Sequence, residues 1–127
     1  MKSTYHAINR RSLLLATFLG LACAGAQAQT YPARSIQLLV GYSAGGGMDT
    51  AARMLAPRLS ALLGQQVVVE NRAGAAGLIA GDVVAKATPD GYTLLLGESG
   101  LLVAPYLHSH MTFDPIKSFA PVASVFN

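Results

Sequence analysis

Ile36-Gln37-Leu38-Leu39-Val40-Gly41-Tyr42-Ser43-Ala44-Gly45-Gly46-Gly47-Met48-Asp49 is the stretch on which the fold turns. Its first five residues are an apolar run with little alternation, the pattern of a short strand covered on both faces. The glycines then break the strand, and Met48, Ala51, Ala52, Leu55, Leu59, Leu62 and Leu63 recur at three- and four-residue spacing, predicting an amphipathic helix. Asp49 is placed to cap that helix and Gly64 to end it in a left-handed conformation. Pro57 lies inside the pattern, where it removes a backbone hydrogen bond and crowds the carbonyl of Arg53, so a kink or two shorter helices are expected.

The same unit recurs downstream. Val67–Glu70 is β-branched and strand-like, Asn71–Gly77 breaks it, and Leu78–Ala87 resumes with helix-forming residues. Thr88-Pro89-Asp90-Gly91 is a turn, with proline presetting the backbone and glycine closing it, and Thr93–Leu96 is a third strand. Beyond it, Leu101–Leu107 reads as a short helix, His108–Pro121 as a proline-punctuated connection and Val122–Phe126 as a further strand. Strand–helix–strand–helix–strand with short links is α/β, a parallel βαβαβ sheet with right-handed crossovers. In such a sheet the turns Ser43–Gly47, Arg72–Gly77 and Gly97–Gly100 emerge at one edge and aim backbone N–H groups at a shared point, a geometry suited to a small anion.

Composition narrows the partners. Of 127 residues, 52% are apolar and 12% charged, enough to build a core. Met1–Arg11 carries Lys2, Arg10 and Arg11 without an acid, Ser12–Ala24 is almost wholly apolar, and Ala26-Gln27-Ala28 is a small-x-small site. This is the pattern of a secretory signal peptide, residues 1–28, cleaved after Ala28. Its apolar core of about 13 residues falls short of the ~20 that span a bilayer. Three of the nine basic residues leave with it and none of the six acids, so the exported remainder is electrically balanced and nucleic-acid or acidic-membrane binding loses its support. Arg10-Arg11 before Ser12-Leu13-Leu14 matches a twin-arginine signal only loosely. Cys23, the only cysteine, lies in the leader, which excludes disulfide and thiol chemistry from the remainder; Gly20 stands where a lipidation signal would want leucine.

Several chemistries can be set against the residues. Gly41-Tyr42-Ser43-Ala44-Gly45 fits the nucleophile-elbow pattern G-x-S-x-G, with Asp90 and then His108 or His110 following in the order of a serine hydrolase, but only about a dozen exported residues precede Ser43 to supply the rest of an oxyanion hole. A phosphate loop fails because Gly47-Met48-Asp49 brings no lysine, and a dinucleotide fingerprint fails because Gly45, Gly46 and Gly47 are contiguous. What remains is recognition of a carboxylate by neutral donors: backbone N–H groups of Ser43–Gly47 with the hydroxyls of Ser43 and Ser99. Any single glycine loop of this kind is explained by a tight turn alone; three on one edge favour a site. Arg72 can pair with an anion, with Glu70 or with solvent, and Glu98 opposes anion binding unless it points away. His108 and His110 have no acid or cysteine cluster beside them and read as surface residues rather than metal ligands.

Val40–Asp49, Gly64–Gly77 and Pro89–Gly97, followed by Phe113-Asp114-Pro115 and Phe119-Ala120-Pro121-Val122, closely resemble the Bug family, the periplasmic substrate-binding receptors of tripartite tricarboxylate transporters. The likeness runs from Tyr31 to the end of the chain. It implies a two-lobed, periplasmic-binding-protein type II fold that closes on an organic acid and hands it to a membrane permease, without cofactor or metal. It further implies that the loops after the first and third strands hold one ligand carboxylate, here through Ser43, Ala44, Gly45, Gly46 and Gly47 with Ser99 and Gly100, while Gly74 and Gly77 carry over less closely. Asp49 matches the acidic position that closes the family's first motif. Gly41 departs from the family, which often has proline there, and Glu98-Ser99-Gly100-Leu101-Leu102 is less polar after its serine. A receptor of this class needs a second lobe, so residues 29–127 are expected to be the N-terminal part of the first lobe only. The expected function is capture of a small mono-, di- or tricarboxylate in the periplasm; the alternatives are a serine hydrolase using Ser43 and a non-functional receptor fragment.

Overall fold

The chain winds outward from a central strand. A computed structural model describes residues 30–125, and the leader predicted over residues 1–28 lies outside them. From Pro32 onward the elements run β1 (Ile36–Val40), α1 (Gly47–Leu63), β2 (Val67–Asn71), a 3-10 turn (Ala75–Gly77), α2 (Leu78–Ala85), β3 (Thr93–Leu96) and α3 (Ser99–Leu107). The sheet order is β2-β1-β3, with both pairs parallel; Leu38 stands opposite Val69 on one side and Leu94 on the other. The expected α/β class and parallel sheet are therefore present.

Because winding reverses at β1, right-handed crossovers place α1 and α2 on opposite faces. The burial pattern agrees. Ile36, Leu38 and Val40 point to one face, where they join Ala52 and Ala56 of α1, Val67 and Leu96 in a single apolar cluster. Leu39, equally buried, points to the other, where α2 packs over β1 and β3. Alanine at 52 and 56, one turn apart on α1, lets that helix approach the sheet closely.

The expected break at Pro57 is not a division into two helices: α1 runs continuously through it. Ser60 knits the last turns to the sheet, its hydroxyl donating to the Ala56 carbonyl and accepting the Val67 N–H, both at 2.8 Å. Gly64 ends the helix at φ 68°, as its position predicts, and its N–H returns to the Ser60 carbonyl. The cap at the other end differs from expectation. Gly46, not Asp49, is the N-cap residue, and Asp49 sits in the first turn, reaching back to the Gly45 N–H. The contact is like the returning half of a capping box, displaced by one residue onto the N–H that precedes the N-cap.

The predicted strand at Val122–Phe126 is not formed over Val122–Val125, and Phe126 lies outside the described residues. Its composition suits a strand, but a strand exists by pairing, and this segment joins neither edge of the sheet. Just before it, Phe113 meets Phe119 edge to face and seats against Gly81 of α2.

Candidate functional site

The C-terminal ends of three parallel strands bring three loops to one edge. Between β1 and β3 the winding reverses, and such a switch point opens a crevice beyond the strand ends. Gly41, Tyr42, Ala76, Gly77 and Leu95–Glu98, with Leu101, line a shallow concavity there, with room for about one water molecule.

The loop after β1 is held by a polar network. Asp49 is only 3% exposed. Its carboxylate accepts the Gly45 N–H at 2.8 Å, the Arg53 Nε–H at 2.9 Å and the Asn71 side-chain amide at 3.0 Å. Arg53 above all, then Gly45 and Asn71, hold this carboxyl down at about 2. Asn71 also donates to the Tyr42 carbonyl at 3.1 Å, so the end of β2 grips the loop at two points. Ser43–Gly46 closes as a turn, with the Gly46 N–H on the Ser43 carbonyl at 3.3 Å and Gly45 at φ 83°. Two donors of the expected set, on Gly45 and Gly46, are thus engaged within the loop. Among the described residues, the N–H groups of Ser43, Ala44, Gly47 and Met48 meet no acceptor, as expected where a helix begins. All of Ser43–Gly47 is exposed.

The second loop is wound left-handed. Gly74, Ala75, Ala76 and Gly77 all have positive φ, a conformation that costs each alanine about 1–2 kcal/mol. Gly77 is buried because the first loop lies against it: a Cβ on Gly41 would fall 2.5 Å from the Gly77 Cα. Arg72, left open between an anion and a neighbour, pairs with Glu70 at 2.5 Å.

The third loop joins the first through side chains. The Tyr42 phenol donates to Glu98 Oε1, and that bond to the carboxylate pushes the phenol up to about 12. Ser99 and Gly100, both exposed, open α3.

The elbow residues do not assemble a triad. Ser43 follows the C-terminal end of β1, whereas Asp90 precedes β3 at the opposite edge of the sheet, where it pairs with Arg34 at 2.9 Å and accepts the Tyr92 N–H. His108 and His110 are exposed, and no group of three or more potential metal ligands occurs among the described residues. Asn71 and Tyr42 are the residues that sequence reasoning missed. A polar residue ending a run of valines marks the C-terminal end of a parallel strand, which is where α/β sites gather.

Residues 51–127 match the family model described as the tripartite tricarboxylate transporter family receptor. The chain belongs to this receptor family. A UPF0065 protein of Bordetella bronchiseptica is 49% identical over 117 residues, covering 91% of this chain and 35% of the relative. The periplasmic binding protein BugD superposes with a TM-score of 0.69 at 44% identity, over 72% of this chain and 30% of that one. MatC of Rhodopseudomonas palustris, solved with bound malate, gives the same TM-score at 36% identity, over 72% of this chain and 32% of its own. This receptor-family chain spans about a third of the length of the relatives it matches.

Proposed function

We propose that this chain is part of a periplasmic receptor that captures a small organic carboxylate and delivers it to the membrane permease of a tripartite tricarboxylate transporter. The observation that carries the reading is the exposed loop Ser43–Gly47 after β1, where the N–H groups of Ser43, Ala44, Gly47 and the following Met48 meet no acceptor among the described residues at the start of a helix, beside the crevice at the switch point. Family membership and the malate held by MatC support the same chemistry.

In this reading the ligand carboxylate meets those amides and the Ser43 hydroxyl, and Ser99 and Gly100 approach the rest of the ligand from the third loop. The Gly74–Gly77 turn supports the first loop from behind. Asp49 holds the loop in shape from within instead of touching the ligand. No bond is made or broken, and residues 29–127 supply part of the first lobe, the second closing over the acid to signal occupancy. The leader directs export and is cleaved after Ala28, so an intact mass of the periplasmic protein beginning at Gln29 is expected.

The test is a calorimetric and thermal-shift screen of the full-length protein against mono-, di- and tricarboxylates. Saturable binding that raises the unfolding midpoint is expected for at least one class. No stabilisation by any carboxylate would overturn the reading.

A further inference from the structure

Five of the six acids in the protein each have a cationic partner: Asp49 has Arg53, Glu70 has Arg72, Asp82 has Lys86, Asp90 has Arg34 and Asp114 has Lys117. Glu98 has none among the described residues. Its single side-chain hydrogen bond comes from the neutral Tyr42 phenol, and this unpaired charge lines the crevice itself. The side chain does not reach away from the site. It folds over the first turn of α3, where a Cβ on Gly100 would lie 3.1 Å from Oε1. A fixed negative charge therefore covers the helix start that would otherwise receive an anion. Oε2 accepts no hydrogen bond among the described residues and faces no cation.

From this we infer that Glu98 selects the ligand class: a carboxylate that carries a hydroxyl, amide or ammonium donor next to its carboxylate group. The inference rests on the receptor reading, with the ligand carboxylate on the loop after β1. A second anionic group brought to α3 meets repulsion from Glu98, whereas a donor there finds a ready acceptor. Hydrogen bonds to a charged acceptor are stronger than those between neutral groups, and leaving such a donor unmatched forfeits that gain. Tyr42 is the positioning residue, since its phenol holds the Glu98 carboxylate across the gap between the first and third loops.

The experiment is calorimetric titration of the full-length protein with two matched series, propionate, lactate and alanine, and succinate, malate and aspartate. Within each series only the group next to the carboxylate changes. In whichever series binds, the donor-bearing acids are expected to bind at least about tenfold tighter than the plain acid. Glu98→Ala should collapse that ratio toward unity, chiefly by weakening the donor-bearing acids, and Tyr42→Phe should reduce it part-way. Glu98→Gln keeps an acceptor for the Tyr42 phenol and removes only the charge, so it reads the ratio even where the alanine variant folds poorly; it should lower the preference for the ammonium acids. An unchanged preference for the ammonium acids in Glu98→Gln, with the acids still bound, overturns the role of Glu98 and leaves the receptor reading intact. Absence of binding by every acid to the unaltered protein overturns both.

Discussion

The Asn71 side-chain amide donates to the Asp49 carboxylate at 3.0 Å, across 22 residues of sequence. It joins the end of β2 to the first turn of α1 and, with the Asn71 bond to the Tyr42 carbonyl, fixes the backbone between them. Removing either partner should loosen the loop that presents the free amides. Asn71→Ala is expected to cost about 1.5–3 kcal/mol, the range for a hydrogen bond to a charged group. Asp49→Asn should lower the unfolding midpoint further, because one amide oxygen cannot replace a carboxylate that serves Gly45, Arg53 and Asn71 together. Thermal unfolding by circular dichroism reads the stability, and a double-mutant cycle should give clear non-additivity. Carboxylate affinity should fall in both variants.

The same carboxylate sets an acid limit on stability. Arg53 first, then Gly45 and Asn71, hold Asp49 at about 2 against an ordinary value of 3.8. Its folded pKa is depressed, so the unfolded chain takes up the proton first as pH falls. The contribution is complete above about pH 4 and is lost as pH falls through about 2. Asp82, held down by Lys86, and Asp114, held down by the Ile116 and Lys117 amides, act in the same direction. Urea midpoints measured across this window should decline, and the decline should be shallower in Asp49→Asn.

The strand runs, the glycine breaks and the left-handed end at Gly64 were legible in the sequence because each is local: a period, a missing Cβ, a turn dipeptide. So was the edge of the sheet that holds the site, since parallel strands send their following loops the same way. The grip of Asn71 on Tyr42 and Asp49 was not legible, because it depends on β2 lying beside β1 in a particular register. The N-cap is not legible for the same reason: the spacing of Asp49 from the glycines suits a cap, while the choice of Gly46 depends on where the Ser43–Gly46 turn closes. Val122–Val125 has the composition of a strand but forms none, because composition carries no information about an available pairing edge.

Gly41 tests how tightly the first two loops are joined. A Cβ there would come within 2.5 Å of the Gly77 Cα and 3.2 Å of its carbonyl oxygen, both backbone atoms that cannot rotate away. Gly41→Ala should therefore push the loops apart and cost about 1–3 kcal/mol, as overpacking does elsewhere. Gly47→Ala is the control, because nothing lies within 4 Å of a Cβ at that position. Chemical denaturation should separate the two variants clearly.

Tyr42 offers a direct optical reading of the contact between the first and third loops. Its phenol donates to the Glu98 carboxylate, and this bond, then burial, then the repulsion between a phenolate and Glu98 raise it to about 12 from an ordinary 10.0. Ionisation would exchange a good donor for two adjacent negative charges, so the folded protein resists it. The raised pKa means that the unfolded chain loses its proton first as pH rises. The stabilisation is complete below about pH 10 and disappears as pH climbs through about 12. Ultraviolet titration should show one phenol ionising well after an ordinary tyrosine would, and Tyr42→Phe should remove that late step. Glu98→Gln removes the charge while keeping an acceptor, so the step should move toward lower pH without vanishing. A titration with no late phenol in the folded protein would mean that the two loops are not joined by this bond.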